Sequence, residues 1–401
     1  MRPRADYSDI RGFNHEPHLD HRYDPVQTRR ELGYAERLHL NSCRLFLRIE
    51  LWDQGRDMYI DHVRDFLDEA HRRSITVTPI LLLAYGGGEG DPAILGAESP
   101  HWPPLPACYD PRNYGLGEEF VRAVVSAFRD HPALLFWDVQ NEPSWNFALV
   151  RVTDDDELAR RMKLVWAFTR HFIALVRTLD PDGALGVGHT YIEDTEESDT
   201  GELVDVILFH DYSRTRARAR RVYERAVELG QKYGKPVINN ETGVLSRGGT
   251  YDMELELAHE YGMGWYVFKL MIEEGLWETN HGIVYADGTV RDPAIVAALF
   301  GFFRNRDPQT VVLPNVDLEL NATRAVQLAS TALREHADEE ELLDAAEFLA
   351  NMLEGGELVP MGDGPNAQIR RLLADKDHTL QDVRSLTRKF TVLLRDACHL
   401  L

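Results

Sequence analysis

Eight short runs of apolar residues, many of them β-branched or aromatic, recur through the first 270 positions, each followed by a longer stretch of mixed polarity. The runs lie near 10–14 (Ile-Arg-Gly-Phe-Asn), 43–49 (Cys-Arg-Leu-Phe-Leu-Arg-Ile), 76–83 (Thr-Val-Thr-Pro-Ile-Leu-Leu-Leu) and 134–141. Four more follow at 184–190, 205–210, 236–241 and 262–269. Runs this continuous predict strands buried on both faces, as in a parallel sheet. Between them, apolar residues return at helical spacing. Over 57–73 these are Met58, Ile60, Val63, Phe66, Leu67 and Ala70, and over 154–179 they are Leu158, Met162, Val165, Phe168, Phe172 and Val176. Strand–helix alternation implies a parallel sheet covered by helices. An open doubly wound sheet would alternate similarly. About eight units, with acidic residues closing two of the runs, favour an α/β fold of the closed (β/α)8 TIM barrel type.

The texture changes after about residue 303. Asp307-Pro308 breaks the last helix, and amphipathic helix patterns follow near 318–335, 338–354 and 379–398. Asp338 and Thr379 suit N-caps, and Gly355-Gly356 suits a helix end. The expected organisation is a barrel domain over 1–305 and a C-terminal α-helical extension over 306–401. The extension carries no evident chemistry. Covering apolar barrel surface is its plainest role, with homo-oligomer formation or partner binding left open.

Composition narrows the partners. The 401 residues exceed the ~250 of a minimal barrel, which leaves room for that appendage. With 44 basic against 66 acidic side chains the net charge is −22, so nucleic acid and anionic membranes would be repelled while a neutral sugar would not. No window approaches the ~20 apolar residues of a membrane span. The basic N-terminal residues are followed by no apolar stretch, so no secretory signal is expected. Cys43, Cys108 and Cys398 are scattered, which suits a reducing cytoplasm and neither a disulfide scaffold nor a zinc ribbon.

Two segments carry the candidate chemistry: Leu134-Leu-Phe-Trp-Asp-Val-Gln-Asn-Glu-Pro-Ser-Trp145 and Pro236-Val-Ile-Asn-Asn-Glu-Thr-Gly243. Each reads as a buried strand that stops at a glutamate beside a turn, Glu142 before Pro143 and Glu241 before Thr242-Gly243. The C-terminal ends of barrel strands are where this fold holds its chemistry. Two carboxylates there are the equipment for cleaving a glycosidic bond. The Asn141-Glu142-Pro143 triplet after Trp137-Asp138 resembles the acid/base strand of the large clan of retaining (β/α)8 glycosidases, and within it family 5, of cellulase and mannanase type. The likeness runs over roughly residues 9 to 303.

That resemblance implies roles. Glu142 is the acid/base and Glu241 the nucleophile. Arg44, in Leu40-Asn-Ser-Cys-Arg-Leu-Phe-Leu-Arg48, matches the inward arginine beside the nucleophile, although Arg48 shares its strand parity. Asn141 would bond the sugar 2-hydroxyl. His210 and Tyr212 resemble the His-x-Tyr closing the sixth strand, the tyrosine donating toward the nucleophile. His189 and His15 are weaker substrate-binding candidates. Two departures stand out. Leu83-Ala-Tyr-Gly-Gly-Gly88 lacks the family's histidine and offers Tyr85 instead, and the sugar floor of the eighth strand falls to Trp265 or, by alignment, Phe268. Trp102, Trp145 and Trp277 are further candidate platforms.

Three other constellations read as structural. His15, His18 and His21 suit a solvated cluster, Gly86–Gly90 lacks the Lys-Ser/Thr of a phosphate loop, and Arg214–Arg221 suits a solvated face. The expectation is a retaining β-glycosidase acting on a carbohydrate, without cofactor or metal. The alternatives are a non-catalytic carbohydrate-binding barrel and a metal-dependent TIM-barrel hydrolase using His15, His189 and His210.

Overall fold

Each of the eight apolar runs becomes one strand. In the computed structural model, which describes residues 3–83, 111–144, 154–213, 215–243, 250–273 and 281–303, these are β1 (Arg11–His15), β2 (Ser42–Phe46), β3 (Thr76–Leu83), β4 (Trp137–Asn141), β5 (Leu185–His189), β6 (Ile207–Asp211), β7 (Val237–Thr242) and β8 (Gly264–Val267). All neighbours pair in parallel and in chain order, and β8 closes on β1 to complete a (β/α)8 barrel. The expected helices of 306–401, the Gly86–Gly90 segment, and Tyr85, Trp102, Trp145 and Trp277 lie outside the described residues.

Six of the eight strands end one to three residues earlier or later than their apolar runs. The run at 43–49 outlasts β2 because Arg48 already stands at the N-cap position of helix α2 (Ile49–Gln54), and α3 (Arg56–Arg72) follows at once. Val63, Phe66, Leu67 and Ala70 of α3 are buried against the barrel, as their spacing predicts, whereas Met58 of the same predicted stripe is exposed. Helix α1 (Pro25–Arg37) starts at Asp24, whose side chain accepts from Val26 N, with Pro25 in the first turn where its missing N–H costs nothing. The next helices are α4 (Gly115–Phe128) and α5 (Asp155–Leu179). Asp154 caps α5 by accepting from Glu157 N, and acidic residues 155–157 favour the positive end of its dipole. The remaining helices are α6 (Asp194–Glu197), α7 (Arg216–Tyr233), α8 (Tyr251–Glu260) and α9 (Pro293–Leu299). Among the described residues no helix is long and apolar enough to cross a membrane.

The chain falls into two compact units. The barrel unit takes the described residues within Met1–Asp211, Val222–Gly243 and Glu254–Gly301. The second unit takes in the described residues 212–213, 215–221, 250–253 and 302–303. In it, Thr215 opens α7 by accepting from Arg218 N through Oγ1 (3.3 Å) and from Ala219 N through its carbonyl (3.0 Å).

Strand alternation sorts side chains between the barrel interior and the helical layer. Tyr266 of β8 points inward, its hydroxyl 2.7 Å from Ser42 Oγ and 3.3 Å from Thr78 Oγ1. Its ring occupies the space that Gly12 of β1 leaves open, since a Cβ there would sit 2.1 Å from Tyr266 Cδ1. Below lies an apolar floor that includes Ile10, Phe136, Val206, Leu208 and Ile238. Gly12→Ala is therefore expected to overpack the barrel and to lower unfolding stability by about 1–3 kcal/mol. Thermal or denaturant unfolding would read this, and an unchanged midpoint would mean that the ring has room to move.

Candidate active site

A guanidinium withdrawn from water needs an acceptor for nearly every N–H. Arg44 on β2 is fully buried and finds four. Its Nε donates to Asp138 Oδ2 (2.8 Å), Nη1 to Asn14 Oδ1 (2.9 Å) and Glu241 Oε2 (2.7 Å), and Nη2 to Asn141 Oδ1 (2.6 Å). Burial works against the charge, but Asp138 and Glu241 outweigh it and raise the affinity for the proton above that of a free arginine. Asp138 is itself fully buried and accepts from Gly188 N (2.9 Å) and Asn240 Nδ2 (3.2 Å). Gly188 has to be glycine here, because a Cβ would stand 2.6 Å from Arg44 Nη2. Asn14 aims its oxygen at Arg44 by donating its amide to the Asn240 (3.1 Å) and Val267 (3.2 Å) carbonyls.

Irregularities in two strands bring the carboxylates to this cation. Along β6 and β7, Phe209 pairs with Asn239 but His210 pairs with Glu241, so Asn240 is an extra residue, a β-bulge. Asn239 bonds the Tyr223 hydroxyl of α7 in the helical layer (2.8 Å), and strict alternation would turn Glu241 the same way. The bulge turns it inward. In β4 the register shifts between Asp138 and Asn141, so two residues three apart both reach Arg44. Glu142 then takes a left-handed backbone with φ of 44°, a conformation costing a non-glycine residue about 1–3 kcal/mol. Its N–H is held by the Gly188 carbonyl (2.7 Å).

His210 stands between the two glutamates. Nδ1 lies 2.7 Å from Glu142 Oε1 and Nε2 lies 3.6 Å from Glu241 Oε2. One donor atom from each of Glu142, His210 and Glu241 falls within 4.8 Å of the others. Their surroundings differ. Burial pushes the Glu142 carboxyl up to about 7, against the opposing pull of Arg44. Burial pulls His210 down to about 4, with Glu241 and Asp138 acting against it and Arg44 with it. A neutral imidazole has one N–H. The arrangement in which Glu142 donates its O–H to Nδ1 puts the ring proton on Nε2, facing Glu241. Glu241 meanwhile shares the Arg44 charge. The pair is thus one carboxyl whose burial favours the protonated form and one carboxyl held against a guanidinium.

Among the described residues, Glu142, His210 and Glu241 are also the group whose ligand atoms could hold a metal ion, though Arg44 already lies 2.7 Å from Glu241 Oε2. The three histidines of the metal-hydrolase alternative do not converge. His15 belongs to β1 and is buried rather than solvated; with Asn14 facing in, it faces the helices, with Nε2 3.3 Å from Glu31 and its ring 5.9 Å from that of Phe66. His189, following the inward Gly188, likewise faces outward, to Thr200 Oγ1 (2.9 Å) and the Trp166 ring (5.9 Å).

Of the other expected residues, Arg48 leaves the strand and pairs with Glu50 at 3.5 Å. Tyr212 follows β6 directly and belongs to the second unit. Trp265 precedes the inward Tyr266 and so faces away from the barrel interior. Phe268, just past β8, is the aromatic that joins the inner rim, its ring 6.2 Å from that of Phe46 and 5.0 Å from that of His281. Asp138, Gly188, Asn14 and Asn240 had no role assigned from sequence. For Asp138 the signal was there: an ionisable residue inside an apolar strand has to be paired.

No family model and no curated protein sequence matches the chain. Solved structures do share its fold. An endo-β-1,4-mannanase from Thermotoga petrophila superposes with a TM-score of 0.55 at 15% identity, over 74% of this chain and 77% of the other. An endo-1,4-β-mannanase from Rhizomucor miehei gives 0.54 at 14% identity, over 72% and 91%. The GH5_18 protein from Streptomyces cattleya, in complex with GlcNAc, gives 0.53 at 16% identity, over 71% and 78%. The chain therefore has the barrel fold of these glycoside hydrolases.

Proposed function

We propose that this protein is a retaining β-glycosidase, hydrolysing β-linked oligosaccharides or related β-glycosides by double displacement. The observation that carries the reading is the meeting of Glu142 and Glu241, one carboxyl oxygen of each within 4.8 Å of the other, in opposite electrostatic settings. Retaining enzymes hold their carboxyl groups about 5–5.5 Å apart and inverting ones about 6.5–9.5 Å, which leaves space for a water. The spacing here supports direct attack. Glu241 attacks the anomeric carbon from below while Glu142 passes its proton to the departing oxygen, so the C–O bond breaks as the Glu241 ester forms. Glu142, now a carboxylate, takes a proton from water as that water attacks the same carbon and releases Glu241. Arg44 keeps Glu241 ionised and orients it, and His210 receives and returns the hydrogen bond of Glu142. Two inversions leave the β configuration in the product.

The similar solved structures include two mannanases and a GlcNAc complex. Aryl β-mannosides, β-glucosides and N-acetyl-β-glucosaminides, with the matching β-1,4-oligosaccharides, therefore form the first assay panel. Proton NMR of an early time point on the best substrate is expected to show the β-anomer first, before mutarotation. An α-anomer first would sink the mechanism. The pH profile of kcat/KM is expected to be bell-shaped, its basic side near the value of about 7 that burial gives Glu142. Above that pH the acid loses the proton it must donate, and activity falls. Glu142→Gln should flatten the basic limb; an unchanged limb would assign the proton to another group.

A further inference from the structure

Glu142 is tied to β5 and the segment after it at two points along the chain. Its own N–H donates to the Gly188 carbonyl (2.7 Å). Pro143 comes next and has no N–H to give. The second tie is a side chain: Ser144 Oγ donates to Asp194 Oδ2 (2.6 Å) and lies 2.9 Å from Thr190 Oγ1.

Asp194 is itself fixed. It is 3% exposed and opens α6, its N–H donating to the Tyr191 carbonyl (3.2 Å). Its Oδ2 accepts from Tyr191 N (3.3 Å) as well as from Ser144, so one oxygen takes both bonds with its two lone pairs. The clasp restrains a strained backbone. Glu142 holds a φ of 44°, which residues other than glycine keep only where their neighbours over-determine it. Untied at Ser144, the chain is free to leave that conformation. A turn about the N–Cα bond of Glu142 swings its carboxyl away from His210 Nδ1, which stands 2.7 Å from Oε1.

We propose that Asp194 is a positioning residue for Glu142, holding its carboxyl against His210 through the Ser144 hydroxyl. Asp194 acts through Ser144 and takes no part in the bond changes. Its catalytic consequence rests on the glycosidase reading: a displaced acid slows those substrates whose leaving group has to be protonated and spares those whose leaving group departs as an anion. A general loss of folded enzyme would slow both alike.

The test compares a β-1,4-linked tetraose with the dinitrophenyl β-glycoside of the same sugar by kcat/KM, which reads the chemistry only as far as the glycosyl-enzyme. Asp194→Ala is expected to lower the tetraose-to-dinitrophenyl ratio by about 10- to 100-fold, the scale of a catalytic group displaced by an ångström or less. Ser144→Ala, which removes the tie from the other side and from a less buried position, should lower it as much. Asp194→Asn should recover the ratio, since the carboxamide oxygen can accept from both Ser144 and Tyr191 N. An unchanged ratio in both alanine variants, equal losses on the two substrates, or no recovery in Asp194→Asn overturns the proposal. If the wild type turns over neither substrate, the hydrolytic reading fails separately, and nitrogen NMR of isotope-labelled histidine reads the positioning alone. The His210 signals are those missing from His210→Gln. In Asp194→Ala the Nδ1 signal should move toward its place in Glu142→Ala and return in Asp194→Asn; a signal that stays in place overturns the proposal.

Discussion

Glu241→Ala is expected to lower kcat/KM by at least ~10⁴-fold on every substrate, because no group remains to form the glycosyl-enzyme. Glu142→Ala should behave differently. On substrates with poor leaving groups it should cost ~10²–10⁴-fold, the usual contribution of a positioned acid. On dinitrophenyl glycosides, whose leaving group needs no proton, the first step should proceed and the glycosyl-enzyme should accumulate. Azide, small and already ionised, fits where the Glu142 side chain stood and needs no base. It attacks the anomeric carbon, the bond to Glu241 breaks, and a β-glycosyl azide results. The contrast follows from environment: burial keeps the proton on Glu142 near neutral pH, while Glu241 shares Arg44. The configuration of the azide product makes the assignment checkable. An α-azide from Glu142→Ala, or near-wild-type activity in Glu241→Ala, would show the roles to be reversed or misplaced.

The barrel itself was legible because burial on both faces writes a continuous apolar run, and each of the eight runs became a strand. The cluster of Arg44, Glu142, His210 and Glu241 was legible as well: the two glutamates close apolar runs, and the family resemblance singled out Arg44 and His210. What could not be read is which way some residues face. A period of two would place Glu241 with Asn239, in the helical layer, and the extra residue Asn240 reverses this. No residue type announces a bulge. The same period, applied from an inward neighbour, does place His15, His189 and Trp265. Asn14, Gly188 and Tyr266 face in, so those three face out, where His15 finds Glu31 and His189 finds Thr200. That argument needs one inward anchor per strand, and only the assembled barrel supplies it. Gly188 is the sharpest case: its role is to be empty, so that Arg44 and Asp138 can meet.

Arg44 ties these parts together, and its removal should be felt in folding and in turnover at once. Arg44→Met leaves Asp138 and Glu241 buried around an apolar side chain. Breaking a buried pair from one side costs about 3–5 kcal/mol, so the variant should unfold at clearly lower denaturant. Where it stays folded, kcat should fall by ~10²–10³-fold, the loss expected from one preorganised charge. The acidic limb of kcat/KM should also move to higher pH, because the carboxylate that must be ionised has lost its cation. Arg44→Lys should recover little, since a lysine cannot divide its donors among Asp138, Asn14, Glu241 and Asn141 in one plane. Asp138→Asn separates the two effects. Its amide must face either the Gly188 N–H or the Arg44 Nε–H, so stability should drop, yet Arg44 still stands against Glu241 and the acidic limb should stay in place. If Arg44→Met lost stability without moving the acidic limb, the arginine would be a structural ion-pair partner, and the ionisation of Glu241 would need another cause.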